Sequence, residues 1–331
     1  TLLYAGNDAT GRAISGVGFQ PDFVWFKDRS NTINHALYDA IRGTTKFLES
    51  SATSPEQTQT QGLTAFSSDG FTLGSNGSVN GNNNNYTSWN WKANGSGSAN
   101  TDGTISSTVS ANTTSGFSIV KYTGNATVST IGHGLGVAPK MIITKNLDRA
   151  EAWPVDCREA DNGAGGILYL NETGSLGAYG NTSPYPSTAP TSTVYSVGTA
   201  GNTNYSGSNM IAYCFAEKTG YSKFGSYVGN GNADGVFVYL GFKPSFVMTK
   251  CTSASGQSWH MQDNKRDGFN YDNKRLFAES SSSESGTTRM DLLSNGFKYR
   301  DGDGQGNGST YIYMAFGQSL VGSNGVTAKA R

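Results

Sequence analysis

Histidine, the side chain most often used as a general base, occurs three times in this chain, at His35, His133 and His260. The three positions are far apart, and none shares a Gly-x-Ser-x-Gly segment or another motif with a candidate nucleophile. His133, in the segment GHGLG, has the surroundings of a turn residue. The sequence therefore predicts no nucleophilic triad.

Cysteine is equally sparse, with Cys157, Cys214 and Cys251 at wide spacing. An odd number of cysteines without a close pair does not predict a disulfide framework. Three isolated cysteines and three isolated histidines also give no zinc-ligand spacing. Cys214 lies in the apolar run IAYCFAE, which indicates a buried thiol.

Carboxylates could support either glycoside hydrolysis or calcium binding. Glycosidases place two acids on either side of the bond they cleave, and the closest acidic pair here is Asp156 and Glu159 in VDCRE. Calcium prefers oxygen ligands, and the segment RDGDGQGNG places Asp301, Asp303 and Asn307 among permissive glycines. These three are calcium candidates. The closing glutamate of an EF-hand loop is missing there, so a solvated acidic turn is the simpler interpretation.

Two glycine-rich segments, residues 132–136 (GHGLG) and 229–235 (GNGNADG), superficially resemble phosphate-binding loops. A dinucleotide fingerprint must open a helix, because the helix N-terminus binds the pyrophosphate. Both segments instead lead to Gly-x-x-Pro and an apolar run typical of a strand. They are interpreted as hairpin loops, and no cofactor and no catalytic residue is predicted.

Short motifs recur along the chain at constant spacing. A tyrosine precedes x-Gly-Asn at Tyr4, Tyr122 and Tyr227, and a proline follows each by 17 residues at Pro21, Pro139 and Pro244. The prolines lie in GFQPDFVWFK, GVAPKMIITK and GFKPSFVMTK, which end in Lys27, Lys145 and Lys250. Such spacing does not recur by chance, so the chain contains one module in three tandem copies.

Two further positions recur in the copies. An aspartate follows each proline by 17 to 19 residues, at Asp39, Asp156 and Asp263, and each copy closes on an aromatic residue, Trp91, Phe215 or Phe316. Because the lysine and the aspartate both recur, we expect a Lys–Asp contact within each copy. The closing aromatics end alternating strands, so we expect them in the core.

These motifs predict an all-β fold of three tandem β-sandwich modules, jelly-roll or lectin-like, with a small barrel as the alternative. Proline cannot donate to a strand ladder, so Gly-x-x-Pro predicts a turn that leads into a strand. Helical periodicity is best in Ile33–Gly43. The predicted modules are residues 1–98, 99–219 and 220–331. The Ser/Thr/Gly/Asn-rich stretch to about residue 116 is either a linker or, at TISSTVS, an added strand.

The charge balance argues against several partners. Lys+Arg and Asp+Glu are 24 each, so we expect neither nucleic-acid binding nor attraction to an anionic membrane. We find no signal peptide and no apolar stretch long enough to span a bilayer, and we expect no membrane insertion. Thr1 already lies inside the first motif, which favours a processed product or part of a longer polypeptide.

The segments GFSIVKYTGN, IGHGLGVAPKMIITK, AYCFAEKTGYSKFGSYVGNGNADG, LLSNGFKYR and YIYMAFGQ resemble a repeated domain of virion proteins from marine tailed bacteriophages, notably those of cyanobacteria. The resemblance extends over nearly the whole chain and its motifs are structural. It implies a non-enzymatic virion component of the tail-fibre or appendage type, in contact with other virion proteins. The alternatives are a capsid decoration protein and a carbohydrate-active enzyme on the particle surface.

A virion protein of this kind could also bind a host surface glycan through exposed aromatic rings. The candidate rings, in segments predicted to be loops, are Tyr86, Tyr179, Tyr185 and Trp259. A homotrimer is expected by analogy with phage fibres, because a symmetric bundle would cover sheet edges that an isolated sandwich leaves exposed.

Overall fold

The computed structural model describes residues 1–158, 165–267, 270, 274–286, 290–302 and 306–318. These residues are almost entirely β, with antiparallel strands in several sheets and two single-turn helices. The predicted all-β class is confirmed. The strands form three groups with the same internal order, which we call repeats 1, 2 and 3.

The element bounds in each repeat follow the sequence motifs. Repeat 1 contains β1 (Leu2–Ala5), β2 (Arg12–Ser15), β3 (Phe23–Asp28), β4 (Ala36–Asp39), β5 (Lys46–Phe47), β6 (Gln57–Thr58), β7 (Leu63–Ser67), β8 (Gly70–Leu73), α1 (Gly77–Asn80) and β9 (Asn85–Trp91). Repeat 2 contains β10 (Ser98–Asn100), β11 (Ser107–Asn112), β12 (Phe117–Thr123), β13 (Ser129–Gly132), β14 (Met141–Asn146), β15 (Pro154–Cys157), β16 (Ile167–Tyr169), β17 (Val194–Val197), α2 (Gly201–Asn204) and β18 (Asn209–Phe215). Repeat 3 contains β19 (Ser222–Val228), β20 (Phe237–Tyr239), β21 (Pro244–Cys251), β22 (Trp259–Asp263), β23 (Leu276–Phe277), β24 (Met290–Leu293), β25 (Gly296–Tyr299) and β26 (Thr310–Gly317).

Each repeat has one large and one small sheet. The large sheets have the orders β1-β9-β3-β4, β10-β11-β12-β18-β14-β15-β16 and β19-β26-β21-β22-β23. The small sheets are β2-β8-β7, β13-β17 and β20-β25-β24, and β5 pairs with β6. The TISSTVS segment contributes to β11, so of the two interpretations of that stretch the added strand is confirmed.

Ile33–Gly43, the best candidate for a helix in the sequence, is not helical. Residues Ala36–Asp39 form β4, which pairs with β3 in the register Phe23↔Asp39. All four residues of β4 are buried, and alternate side chains enter different clusters, which a strand allows and a helix of this length does not. Local periodicity was overridden by pairing with a neighbouring strand.

The apolar runs after the prolines are buried on both faces of the large sheets. In β3, Phe23 and Trp25 enter one cluster, while Val24 and Phe26 enter a second cluster formed with the small sheet of repeat 1. Repeats 2 and 3 have equivalent clusters of their own. The alternation of a strand therefore divides one continuous apolar run between two cores.

The first of these clusters is common to all three repeats. At its centre the closing aromatics Trp91, Phe215 and Phe316 form a triangle, with ring centroids 6.2 Å (Trp91–Phe215), 5.8 Å (Trp91–Phe316) and 5.9 Å (Phe215–Phe316) apart. Their predicted place in the core is confirmed. The repeats thus surround a shared core, and their predicted boundaries divide a structure whose largest hydrophobic cluster extends across them.

We expect the three repeats to unfold together because they share this core. Trp91→Ala should lower the free energy of unfolding by about 3–5 kcal/mol, the usual effect of removing a buried tryptophan side chain. Calorimetry should show one transition shifted to lower temperature as a whole. Val137→Ala, at a side chain that is 43% exposed, is the control. Separate transitions, with only one of them shifted, would contradict the shared core.

Candidate functional sites

The Tyr-x-Gly-Asn motif belongs to a set of hydrogen bonds that joins two loops of each repeat, which we call the bracket. In repeat 2 its side chains are Tyr122 and Asn204. In repeat 2, the Tyr122 hydroxyl donates to the Thr203 carbonyl at 2.6 Å, and the Asn125 backbone N–H donates to Asn204 Oδ1 at 2.8 Å. Gly124 lies between them, and a Cβ there would be 2.4 Å from a backbone oxygen. The glycine of the motif is therefore required by the close approach of two backbones.

The second side chain of the bracket is a buried asparagine that the sequence analysis missed. Asn204 Nδ2 donates to the carbonyls of Thr127 at 2.7 Å and Gly198 at 2.8 Å. Asn80 and Asn307 occupy the same place in repeats 1 and 3, and all three are fully buried. An asparagine upstream of each closing aromatic was the available sequence signal.

This bracket accounts for one of the calcium candidates. Asn307 accepts the Asn230 backbone N–H at 3.1 Å, and its Nδ2 donates to the carbonyls of Asn232 at 2.7 Å and Asp301 at 2.9 Å. The side chain of Asn307 is thus engaged with its own loops. Asp303 lies outside the described residues. Within the described part of the chain, no group of three or more His, Cys, Asp or Glu side chains could hold a metal ion.

The recurring lysines connect neighbouring repeats. Lys145 Nζ donates to the carbonyl of Glu151 at 2.6 Å in its own repeat and to that of Thr53 at 2.9 Å in repeat 1. The equivalent contacts between repeats are Lys27 with the Ser281 carbonyl at 3.1 Å and Lys250 with the Gly174 carbonyl at 2.8 Å. Repeat 1 thus donates to repeat 3, repeat 2 to repeat 1 and repeat 3 to repeat 2.

A second set of donors follows the same cyclic order. These donors reach backbone carbonyls of the neighbouring repeat: Trp153 Nε1 to Glu49 at 3.1 Å, Trp259 Nε1 to Tyr169 at 2.9 Å, and His35 Nε2 to Phe277 at 2.9 Å. His35 Nδ1 accepts from Trp25 Nε1 at 2.7 Å, which assigns the proton to Nε2. Burial lowers the pKa of His35 to about 3, so its ring is neutral.

The predicted Lys–Asp contact is wrong. Asp39 pairs with Arg42 at 2.5 Å and Asp263 with Arg266 at 2.7 Å, and all four side chains are buried. The lysines bond to carbonyl oxygens instead, as described above. A guanidinium can satisfy a buried carboxylate with several donors in a fixed plane, which a lysine cannot do.

Each of these aspartates also accepts a hydrogen bond from the next repeat. The Tyr213 hydroxyl of repeat 2 donates to Asp39 at 2.8 Å, and Trp89 Nε1 of repeat 1 donates to Asp263 at 3.1 Å. Burial alone would raise the pKa of Asp263, but Arg266 holds it below its ordinary value. The two carboxylates therefore lie at two of the three contacts between repeats.

The equivalence of Asp156 with Asp39 and Asp263 is wrong. Phe23 faces Asp39 across the ladder, but the equivalent Met141 faces Cys157, and Asp156 faces Ile142. A shift of one residue turns a side chain to the other face of a sheet. Cys157 therefore points into the shared core, and Asp156 points away from it.

Asp156 instead belongs to a cluster within repeat 2. The Tyr179 hydroxyl donates to it at 2.6 Å, and Arg158 forms an ion pair with it at 2.9 Å. Burial raises the pKa of Asp156 to about 6, although Arg158 acts in the opposite direction. Its proposed acidic partner, Glu159, lies outside the described residues.

Three of the four candidate glycan-binding rings lie in the interior. Tyr86 and Tyr185 are fully buried, and Trp259 joins repeats 3 and 2 as described above. Tyr86 lies within β9 rather than in a loop, and its hydroxyl donates to a backbone carbonyl at 2.6 Å. Tyr179 is half-buried and bonded to Asp156. His133 follows β13 and accepts the backbone N–H of Leu135 at 3.2 Å, as a turn residue does.

Comparison with known proteins gives a family without a known activity. A family model described as a domain of unknown function, DUF7483, matches residues 1–319. The chain belongs to this family. The DUF7483 match extends over all three repeats, in agreement with their shared core. No curated protein and no solved structure matches the chain. No helix among the described residues is long and apolar enough to cross a bilayer.

The asparagine bracket should contribute strongly to stability. Asn204→Ala would leave one backbone N–H and two backbone carbonyls, one of them buried, without their partner, which should cost about 1–3 kcal/mol. Urea unfolding at pH 7 measures this loss. The exposed Asn181→Ala should change the free energy of unfolding by less than about 0.5 kcal/mol. Equal effects of the two substitutions would rule out the bracket.

The buried lysines predict a pH dependence above neutrality. Burial lowers the pKa of Lys145 from 10.5 to about 8, and that of Lys27 likewise. Between these values the unfolded chain binds more protons than the folded chain, so the free energy of unfolding rises with pH. Tyrosines such as Tyr38, whose pKa burial raises to about 12, reverse this trend above pH 10.

Urea midpoints between pH 7 and 10 test this expectation. Lys145→Met should unfold more easily at pH 7, because three carbonyls lose their donor, and its midpoint should rise less with pH than that of the unchanged chain. The exposed Lys92→Met is the matched control and should keep the full rise. A midpoint that is flat with pH in all three proteins would contradict the prediction.

Proposed function

We propose that this chain is a non-enzymatic structural component of a tailed-phage virion, of the tail-fibre or appendage type. The observation that carries the proposal is that the reactive side chains of this chain form hydrogen bonds inside the protein. The recurring lysines, aspartates and asparagines, together with His35, hold loops and repeats together in the interior. The motifs on which the phage resemblance depends are therefore the motifs that build this scaffold.

A rigid scaffold supports assembly and display better than catalysis. Catalytic groups need access to a substrate and a mutual geometry suited to proton or group transfer. Here the recurring lysines donate to backbone carbonyls, and Asp39 and Asp263 form buried ion pairs with arginines. The void at the shared core is lined by side chains such as Trp25, Trp91 and Met314 and has room for roughly one water molecule.

The proposal extends to the architecture of each repeat, which we interpret as a β-sandwich of jelly-roll or lectin-like type. The support is that the large and small sheets of each repeat have a hydrophobic cluster between them. In this interpretation the cores give stability, and the loops and sheet edges make contacts with other virion proteins.

Host-glycan binding is the less supported half of the proposal. The rings suggested for it are buried or half-buried, so any glycan contact would have to use other surfaces. The reason for expecting a homotrimer is also weaker, because three repeats of a single chain already surround one core. A trimer stays a prediction, measurable by sedimentation.

Mass spectrometry of purified particles from the virus that encodes this chain tests the virion assignment. We expect the chain to copurify with particles through a density gradient, and a cryo-EM map should place it on the tail. Capsid density would favour the decoration alternative. Its absence from particles would overturn the assignment.

Turnover assays test the enzymatic alternative. The purified chain should leave polysaccharides of the host surface intact over a day at pH 6–8. Release of reducing ends, retained after a second purification step, would contradict a non-enzymatic role. Glycan-array binding without cleavage would support adhesion.

A further inference from the structure

One side of repeat 2 is closed by a segment that has no equivalent in the short connection between β18 and β19, which leads into repeat 3. Residues Ser98–Asn112 add β10 and β11 to the β12 edge of the large sheet. The same segment reaches the β13 edge of the small sheet, where Ile105 N–H donates to the Thr130 carbonyl at 3.1 Å. Ile105 and Val109 enter the core cluster of repeat 2. One extended segment therefore covers both sheet edges.

The equivalent side of repeat 3 is open within the described residues. β19 and β20 are end strands of their sheets. Two hydrogen bonds show which residues of β19 direct their backbone groups toward β26. The Gly317 N–H donates to the Tyr221 carbonyl at 2.6 Å, and the Gly229 N–H donates to the Ser309 carbonyl at 2.7 Å. Because antiparallel pairs alternate, the residues that direct backbone groups outward from this strand are Phe224, Ser226 and Val228.

The alternation in β20 is identified in the same way. The Leu240 N–H donates to the Asn295 carbonyl at 2.8 Å, so Leu240 and Val238 direct their backbone groups toward β25. Phe237 and Tyr239 direct their backbone groups away from the sheet. Lys223 Nζ, from β19, donates to the Tyr239 carbonyl at 3.0 Å, which shows that both edges lie on one side of the repeat.

The side chains that border this open side are apolar. Val228 is 59% exposed, Phe237 45% and Tyr239 60%, which makes them half of the large hydrophobic side chains that are exposed among the described residues. The equivalent positions beside the closed edge of repeat 2 are Thr123, Thr130 and Gly132. Exposed apolar side chains beside unpaired strand edges are typical of a binding surface.

We propose that the β19–β20 side of repeat 3 binds an extended segment of another polypeptide, which adds to the sheets as a β-strand. The occupant is uncharged and rich in Ser, Thr and β-branched residues, with apolar side chains at alternate positions that cover Val228, Phe237 and Tyr239. Its chemistry is inferred from Ser98–Asn112, which carries no charge except Asp102 and fills the equivalent place in repeat 2. Main-chain hydrogen bonds provide affinity and the apolar positions provide specificity.

This inference deepens the proposed assembly role, and it rests on that role only for the origin of the partner. Strand binding is measured on the isolated chain, whereas the virion assignment is measured on particles. Either can therefore fail without the other.

The test uses the full chain and a capped synthetic peptide with the sequence of residues 98–112 as the probe. Amide hydrogen exchange is followed by NMR with and without saturating peptide. We expect the outward amides of Phe224 and Ser226 to exchange at least about tenfold more slowly with peptide, because they gain strand partners. The amide of Tyr227, which bonds to β26, should change less.

The decisive variant is Ser226→Pro, with Ser226→Ala as its control. Proline removes an N–H that points away from the sheet, a position where edge strands tolerate it, so the melting temperature should change little. Peptide affinity should fall at least about tenfold in Ser226→Pro and stay within about twofold in Ser226→Ala. If the proline variant does not fold, the double substitution Phe237→Ser with Tyr239→Ser, which removes two of the exposed apolar side chains, should weaken binding similarly.

Three outcomes overturn the proposal. They are no protection of Phe224 and Ser226 at millimolar peptide, equal peptide affinity in the proline and alanine variants, and protection of the same amides that appears without peptide as protein concentration rises. The last result would identify a second copy of this chain as the occupant.

Discussion

The contact among Trp91, Phe215 and Phe316 is the constraint on which the rest of the structure depends. Three aromatic rings can meet at one point only if the strands that carry them approach from three directions. This places the large sheets around a common centre, with one face inward and the other against a small sheet. The continuous apolar runs of β3, β14 and β21 follow from this arrangement, because a strand covered on both faces has no position left for an exposed polar side chain.

The sequence predicted the repeats and their strands well because the motif residues have local reasons to recur. The glycine of Tyr-x-Gly-Asn is forced by backbone contact, and the proline by the start of a strand. The shared core could not be predicted, because a buried strand face does not reveal what covers it. The burial of Tyr86 and Tyr185 was missed for a related reason. The Asn-rich surroundings of Tyr86 and the Pro/Ser/Thr-rich surroundings of Tyr185 indicate loops, although a tyrosine hydroxyl can be satisfied inside the protein by hydrogen bonds.

The contact between repeats 3 and 2 shows how one copy diverged. Tyr213 and Trp89 donate to Asp39 and Asp263 at the other two contacts, whereas the equivalent pair here is Met314 and Cys157. Donor and acceptor were thus both replaced by apolar groups, which avoids an unpaired buried charge. The spacing of 17 residues from Pro139 to Asp156, against 18 and 19 in the other copies, was the trace of this change in the sequence. The face that each aspartate occupies follows from its partner across the ladder, which is Ile142 for Asp156 but Phe23 and Phe246 for Asp39 and Asp263.

The cyclic order of Lys27, Lys145 and Lys250 has a consequence for how this protein can associate. Each repeat offers a donor side and a different acceptor side, so the contact is head-to-tail. Head-to-tail contacts between identical surfaces propagate into filaments unless rotation closes them into a ring. Here the ring closes after three steps inside a single polypeptide, and among the described residues each donor side meets the acceptor side of a neighbouring repeat. Polymerisation through this contact is excluded, and any higher assembly must use a chemically different surface.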